Sequence, residues 1–195
     1  MLEILNVTKQ FLVAWPPVIK RVLAIEAEHP KVQDGGWGGW SLMSETGEYT
    51  DGWENGSKAF ATLDDGSVIV QPITNGFEFN RTNQVYTELC TPELMFLCEQ
   101  AKRLGYRPSR ARITHLEPGA SSEWHVDDVP SSKFKRLHFI IKTNPNAVFK
   151  YRSGEIHLPA RSVFLIDVCK EHQIENRGSE PRIHIILDTG GSGPI

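Results

Sequence analysis

His125 and Asp127 stand two residues apart in "SSEWHVDDVPSSKFKRLHF", residues 121–139. On a strand, residues i and i+2 project from the same face, so an imidazole and a carboxylate would lie side by side. That donor pair suits a divalent first-row metal. One further His would complete a facial set of two His and one carboxylate, with positions left open for oxygen and a co-substrate. The pair alone has a plain alternative, a surface turn whose two side chains hydrogen-bond each other. The third ligand should come from a later strand across the barrel. His172, in "KEHQIENRGSEPRIHIILD", is the best candidate, because it follows the strand "SVFLIDVCK" and a turn. His184 and His157 are its rivals. His157, in "GEIHLP", reads as part of an exposed hairpin. His115 and His138 sit on strands with basic neighbours and fit a supporting place behind the ligands.

Arginines raise the second chemical question. In "PRIHIILD", strand alternation puts Arg182, His184, Ile186 and Asp188 on one face and Ile183, Ile185 and Leu187 on the other. The apolar face must be buried. A cavity-facing Arg needs an anionic partner, since an unpaired buried charge is costly. "KRLHFII" repeats the design, with Arg136, His138 and Ile140 opposite Leu137, Phe139 and Ile141. "RARITHL" does so again, with Arg110, Arg112 and Thr114 opposite Ala111, Ile113 and His115. Any one such strand reads equally well as the solvent face of a sandwich. Three of them beside an HxD favour a dicarboxylate pocket, for which the planar guanidinium fork is suited.

The elements that would position these groups are short strands. From Tyr106 onward about eight of them alternate with Gly, Pro, Ser and Asn turns, as in a jelly-roll. Earlier, "PPVIKRVLAIEAEHP" places Val18, Ile19, Val22, Leu23 and Ile25 at near-helical spacing. "TPELMFLCEQAKRLG" is the clearest helix, with Thr91 as N-cap, Pro92 in first position and Gly105 at the end. "GSVIVQPI" reads as a strand. Residues 33–57, rich in Gly with Trp37, Trp40 and Trp53, read as a long loop or a set of short strands, either anchored on the core or walling a pocket. The expected fold is mainly β with helical support (α+β): a double-stranded β-helix (jelly-roll, cupin-like) core packed against N-terminal helices. One domain is expected over 1–195. Residues 1–107 would be helical or irregular support with a part in substrate recognition, and 108–190 the double-stranded β-helix catalytic core.

Composition narrows the function. A net charge of -3 over 195 residues argues against a nucleic-acid partner. No apolar run approaches the ~20 residues of a spanning helix, and the first residues lack a secretory signal pattern, so no membrane partner and a cytoplasmic location are expected. Cys90, Cys98 and Cys169 are odd in number and lack CxxC spacing, which fits reduced thiols and disfavours a zinc-thiolate site.

Four stretches in order, "LEPGASSEWHVD", "KRLHFII", "GEIHLPARSVFLID" and "EHQIENRGSEPRIHIILD", give residues 108–190 a family likeness. This half resembles the aspartyl/asparaginyl β-hydroxylase branch of the Fe(II)/2-oxoglutarate-dependent dioxygenases, which also includes some free-proline hydroxylases. The resemblance implies that His125, Asp127 and His172 bind Fe(II). It implies that Arg182, helped by Thr114, pairs with the distal carboxylate of 2-oxoglutarate, and that Arg136 and His138 touch its other end or the primary substrate. O2 would be the second co-substrate, and an unactivated C–H would be hydroxylated with succinate and CO2 as co-products. By analogy the substrate is a small-molecule amino acid or a peptidyl side chain. Candidate substrate contacts are Arg112, on the Thr114 face, and Trp37 and Trp40. Trp124 alternates away from His125 and is expected in the core; Arg152 is expected to be solvated. Two rivals remain at this level: a cupin-like metal enzyme that does not use 2-oxoglutarate, for which Arg182 is dispensable, and a non-enzymatic β-sandwich binding module with an incidental HxD.

Overall fold

The computed structural model describes residues 4–32, 36–51, 58–62, 68–72, 85–127 and 135–190. Its elements run β1 (Ile4–Asn6), a 3-10 turn (Thr8–Gln10), α1 (Trp15–Glu28), β2 (Trp37–Ser44), β3 (Lys58–Thr62), β4 (Val68–Pro72), β5 (Val85–Tyr86), α2 (Pro92–Arg103) and β6 (Arg107–Leu116). There follow β7 (Lys135–Lys142), β8 (Ala147–Tyr151), β9 (Gly154–His157), β10 (Val163–Ile166), β11 (His172–Asn176) and β12 (Arg182–Gly190). The larger antiparallel sheet has the order β1-β10-β7-β12-β6-β2-β5, the smaller β11-β8-β9, and β3 pairs with β4. This is the mainly β, jelly-roll architecture expected from the strand-and-turn pattern.

Both helices lie where their apolar stripes require. Val18, Val22 and Ile25 of α1 and Leu94, Leu97, Cys98 and Ala101 of α2 are buried in one cluster with Ala111, Ile113, Leu137, Phe139, Ile183, Ile185 and Leu187. The odd-numbered positions of the three central strands therefore face the helices, as alternation demands. Burying each large aliphatic side chain there contributes roughly 1.5–3 kcal/mol. Pro92 opens α2 as its first residue and Gly105, at φ +84°, follows its end. Thr91 does not cap α2 through its side chain; its carbonyl instead accepts from the Leu94 and Met95 amides. A second cluster, including Ile140, Phe149, Tyr151, Phe164 and Ile166, joins the opposite face of the large sheet to the small sheet.

Three strands of the first 107 residues, β1, β2 and β5, are built into the large sheet. β1 carries no signal of its own over three residues; β10 supplies its partners. The Gly-rich stretch contains a regular eight-residue strand, β2, paired with β6. Trp53 lies outside the described residues. All three cysteines are free and buried. Among the described residues no helix is long and apolar enough to cross a membrane.

Candidate active site

The segment bearing His125 is not a regular strand, contrary to the sequence reading. Residues 121–127 lie along the edge of β11 through isolated antiparallel bridges, Ser121 with Glu175 and His125 with His172. The His125 amide donates to the His172 carbonyl at 3.0 Å and the His172 amide returns the bond at 2.8 Å. Directly opposed residues of an antiparallel pair point their side chains to the same side. This places the two imidazoles together, with ring centroids 4.3 Å apart.

Each ring is fixed by its own backbone contact. Nδ1 of His125 lies 2.8 Å from the Glu123 carbonyl, and Nδ1 of His172 lies 2.8 Å from the Lys170 carbonyl. A carbonyl only accepts, so Nδ1 carries the proton in both and Nε2 presents its lone pair. Phe149 stacks on His172 at 5.1 Å with planes 11° apart. Asp127 completes the set: its Oδ2 is 3.3 Å from His172 Nε2 and its Oδ1 is 3.9 Å from His125 Nε2. One ligand atom from each of His125, Asp127 and His172 lies within 4.8 Å of the others. Two imidazoles and one carboxylate on one side of a site suit a divalent first-row metal.

The arginine faces turn inward. A cavity of about 260 Å³ is lined by the three potential ligands, by Arg112, Thr114, Arg136, His138, Arg182 and Ile186 of the large sheet, and by Trp37, Trp124 and Phe149. Behind the ligands lies a buried ionic network. Asp188 accepts from Arg110 Nε and Arg136 Nε, both at 2.6 Å, with Arg112 3.9 Å away; Arg136 Nη1 donates to Asp127 at 2.8 Å. Burial alone would raise the Asp127 and Asp188 carboxyls. The guanidiniums beside them more than reverse this and hold both well below the usual carboxylate range. Arg136, which the resemblance puts against the co-substrate or the primary substrate, lines the cavity and also orients Asp127.

Among the described residues Arg182 has no such counter-charge. It is buried at 2% exposure, and its Nη2 has no hydrogen-bond partner among the described residues. Burial pushes its guanidinium down to about 9. Burial, then the charge of Arg182, also holds His138 and His184 well below the ordinary imidazole value, so both rings are neutral. The orphaned Arg182 donor marks where the cavity fits a carboxylate.

Other sequence expectations are redistributed. Trp37 lines the cavity, but Trp40 does not: it is 1% exposed in the helix-side cluster, its Nε1 donating to the His29 carbonyl at 3.2 Å. Three residues apart on β2, the two must face opposite ways. Trp124 is not core. It is half-buried at the cavity, with the Arg152 guanidinium 3.9 Å from its ring centroid and Arg152 also paired to Glu171. His115 is bonded to Glu26 at 2.9 Å on the helix side and does not support the ligands. His157 Nδ1 lies 3.2 Å from the Ala147 carbonyl, away from the cluster. Asp188 and Phe149 were not singled out. Asp188 was detectable in principle, since alternation puts it on the Arg182 face; the stacking of Phe149 has no local signal.

Comparison with known proteins agrees with this geometry. Over residues 74–190 the chain matches the model of the family described as aspartyl/asparaginyl beta-hydroxylase. No curated protein matches it. Among solved structures it is similar to an oxidoreductase of the 2OG-Fe(II) oxygenase family from Burkholderia pseudomallei, at 12% identity over 97% of this chain and 84% of that one, with a TM-score of 0.52. It is also similar to AviO1 from Streptomyces viridochromogenes Tue57, at 14% identity over 99% and 92% of the two chains, with a TM-score of 0.53. At such identities these two likenesses show the fold. Fold and family match together define a 2-oxoglutarate-dependent non-haem iron oxygenase of the hydroxylase type. The chain belongs to the aspartyl/asparaginyl β-hydroxylase family.

Proposed function

We propose that this protein is an Fe(II)- and 2-oxoglutarate-dependent hydroxylase of an amino acid or a peptidyl amino-acid side chain, acting at the cavity above. His125 Nε2, Asp127 and His172 Nε2 would hold the iron. Arg182, with Thr114 beside it in the cavity, would take the distal carboxylate of 2-oxoglutarate, and His138 would face its other end. Arg112, Trp37 and Trp124 would contact the primary substrate, which gives the first 107 residues a share in recognition through β2. Bound there, Fe(II) with 2-oxoglutarate and O2 supplies the oxidising power that converts C–H to C–OH, with succinate and CO2 as co-products.

The chain's own part is positional. The Glu123 and Lys170 carbonyls hold the two imidazoles with Nε2 exposed to a metal. Arg136 keeps Asp127 ionised and oriented. The apolar walls, Phe149 and Ile186, limit water in the cavity. One observation carries the reading: a buried guanidinium with no counter-charge among the described residues shares a cavity with a His-Asp-His cluster. A cupin-type enzyme that uses no keto acid has no need of that costly charge.

The test is turnover of 2-oxoglutarate to succinate by iron-loaded protein across free amino acids and short peptides. Wild type is expected to consume 2-oxoglutarate, and Arg182→Ala to need far more of it while keeping its metal affinity. Unchanged co-substrate dependence in Arg182→Ala would remove Arg182 from this role.

A further inference from the structure

We infer that His184 is a positioning residue: it donates its Nδ1–H to Nδ1 of His138 and thereby makes that cavity-lining imidazole an Nε2–H donor. The two Nδ1 atoms are 3.3 Å apart and both rings are buried. Two neutral imidazoles in such a contact share one proton, because one nitrogen must donate and the other accept. Only two arrangements exist. If His138 donated, His184 would carry its remaining proton on Nε2, at a site with 0% exposure and no partner among the described residues. A buried N–H without an acceptor is the rarer and costlier orphan. If His184 donates, its bare Nε2 is left in the dry interior and the free N–H is that of His138. His138 lines the cavity, and its Nε2 is likewise without a partner among the described residues. A ligand can satisfy it there.

The arrangement favoured by these orphans presents a second donor to an anion in the cavity that Arg182 also lines. This deepens the proposed use of the cavity for 2-oxoglutarate and rests on that reading for the identity of the anion. The tautomer assignment itself does not depend on any ligand.

The first arm of the test is long-range proton–nitrogen correlation of the histidine side chains in the metal-free protein at neutral pH. The expected result is His138 protonated on Nε2 and His184 on Nδ1. His138 protonated on Nδ1, or on both nitrogens, overturns the inference. The second arm measures 2-oxoglutarate binding to Zn(II)-loaded protein, which cannot turn over. His184→Leu is expected to weaken it about tenfold, the scale of one hydrogen bond to a charged group. His184→Asn, whose amide can donate to His138, is expected to restore most of that loss. Equal losses in the two variants would mean that His184 acts only as packing. A wild type that binds no 2-oxoglutarate would defeat the proposed function, while the tautomers measured in the first arm would still decide the positioning role.

Discussion

Replacing Arg182 with Met should make the ligand-free protein more stable and blind to 2-oxoglutarate. The guanidinium is charged at neutral pH in folded and unfolded chains alike, because arginine does not give up its proton in a protein. The fold disfavours that charge, pushing the guanidinium from its ordinary range down to about 9. This corresponds to a cost of roughly 5 kcal/mol, borne in full at neutral pH. Arg182 is only 2% exposed, so solvent screening does little to reduce it. Met fills similar space without charge, but it packs less well and leaves the cavity drier. A net gain of about 1–3 kcal/mol is expected, in line with other buried charges exchanged for apolar groups. The assay is urea unfolding of metal-free protein, followed by the curves of Zn(II)-loaded protein with and without 2-oxoglutarate. Ligand at about 100 times its Kd should stabilise wild type by about 2.7 kcal/mol and leave Arg182→Met unmoved. A loss of stability on Arg182→Met, or an equal ligand-induced gain in both proteins, would refute the claim that this charge is kept for a carboxylate.

Asp188 is the opposite case: Asp188→Asn should cost about 3–5 kcal/mol in urea unfolding, because it removes the buried carboxylate that pairs with both Arg110 and Arg136. Asp127 and Asp188 both sit below the ordinary carboxylate range. Their stabilisation is therefore complete above about pH 4 and is lost as pH falls through the lower folded values. Wild type should lose unfolding midpoint as pH falls below about 4, and Asp188→Asn markedly less; parallel losses would contradict the network. Trp40→Ala should cost about 3–5 kcal/mol with little change in substrate KM, whereas Trp37→Ala should raise substrate KM with a stability change measured by thermal melting of about 1 kcal/mol or less.

The three Arg-bearing strands were legible because alternation is a strict rule. Once Leu137, Phe139, Ile183, Ile185 and Leu187 are known to be buried on one side, Arg136 and Arg182 must lie on the other. The site's pairing was less legible. The i, i+2 argument for His125 and Asp127 assumed a strand, yet the segment is held by bridges to β11 that only the tertiary fold supplies. The same limit explains Trp124: outside a strand, alternation from His125 says nothing about its direction. Trp37 and Trp40 could have been separated by the same parity rule had β2 been recognised beneath its glycines. What Arg136 touches was beyond the sequence, since one of its carboxylates comes from an irregular segment nine residues away and the other from a strand 52 residues away. The uncompensated charge of Arg182 is likewise a property of the packed interior.

The central claim is that His125, Asp127, His172 and Arg182 form one site for a metal and a keto acid. Its most direct test is anaerobic addition of Fe(II) and then 2-oxoglutarate to the metal-free protein, followed by visible absorption, in wild type and His172→Ala. A weak charge-transfer band in wild type that is absent from His172→Ala is the predicted result. Iron binding without a band would favour an iron site that takes no 2-oxoglutarate, and no iron binding at all would contradict the account.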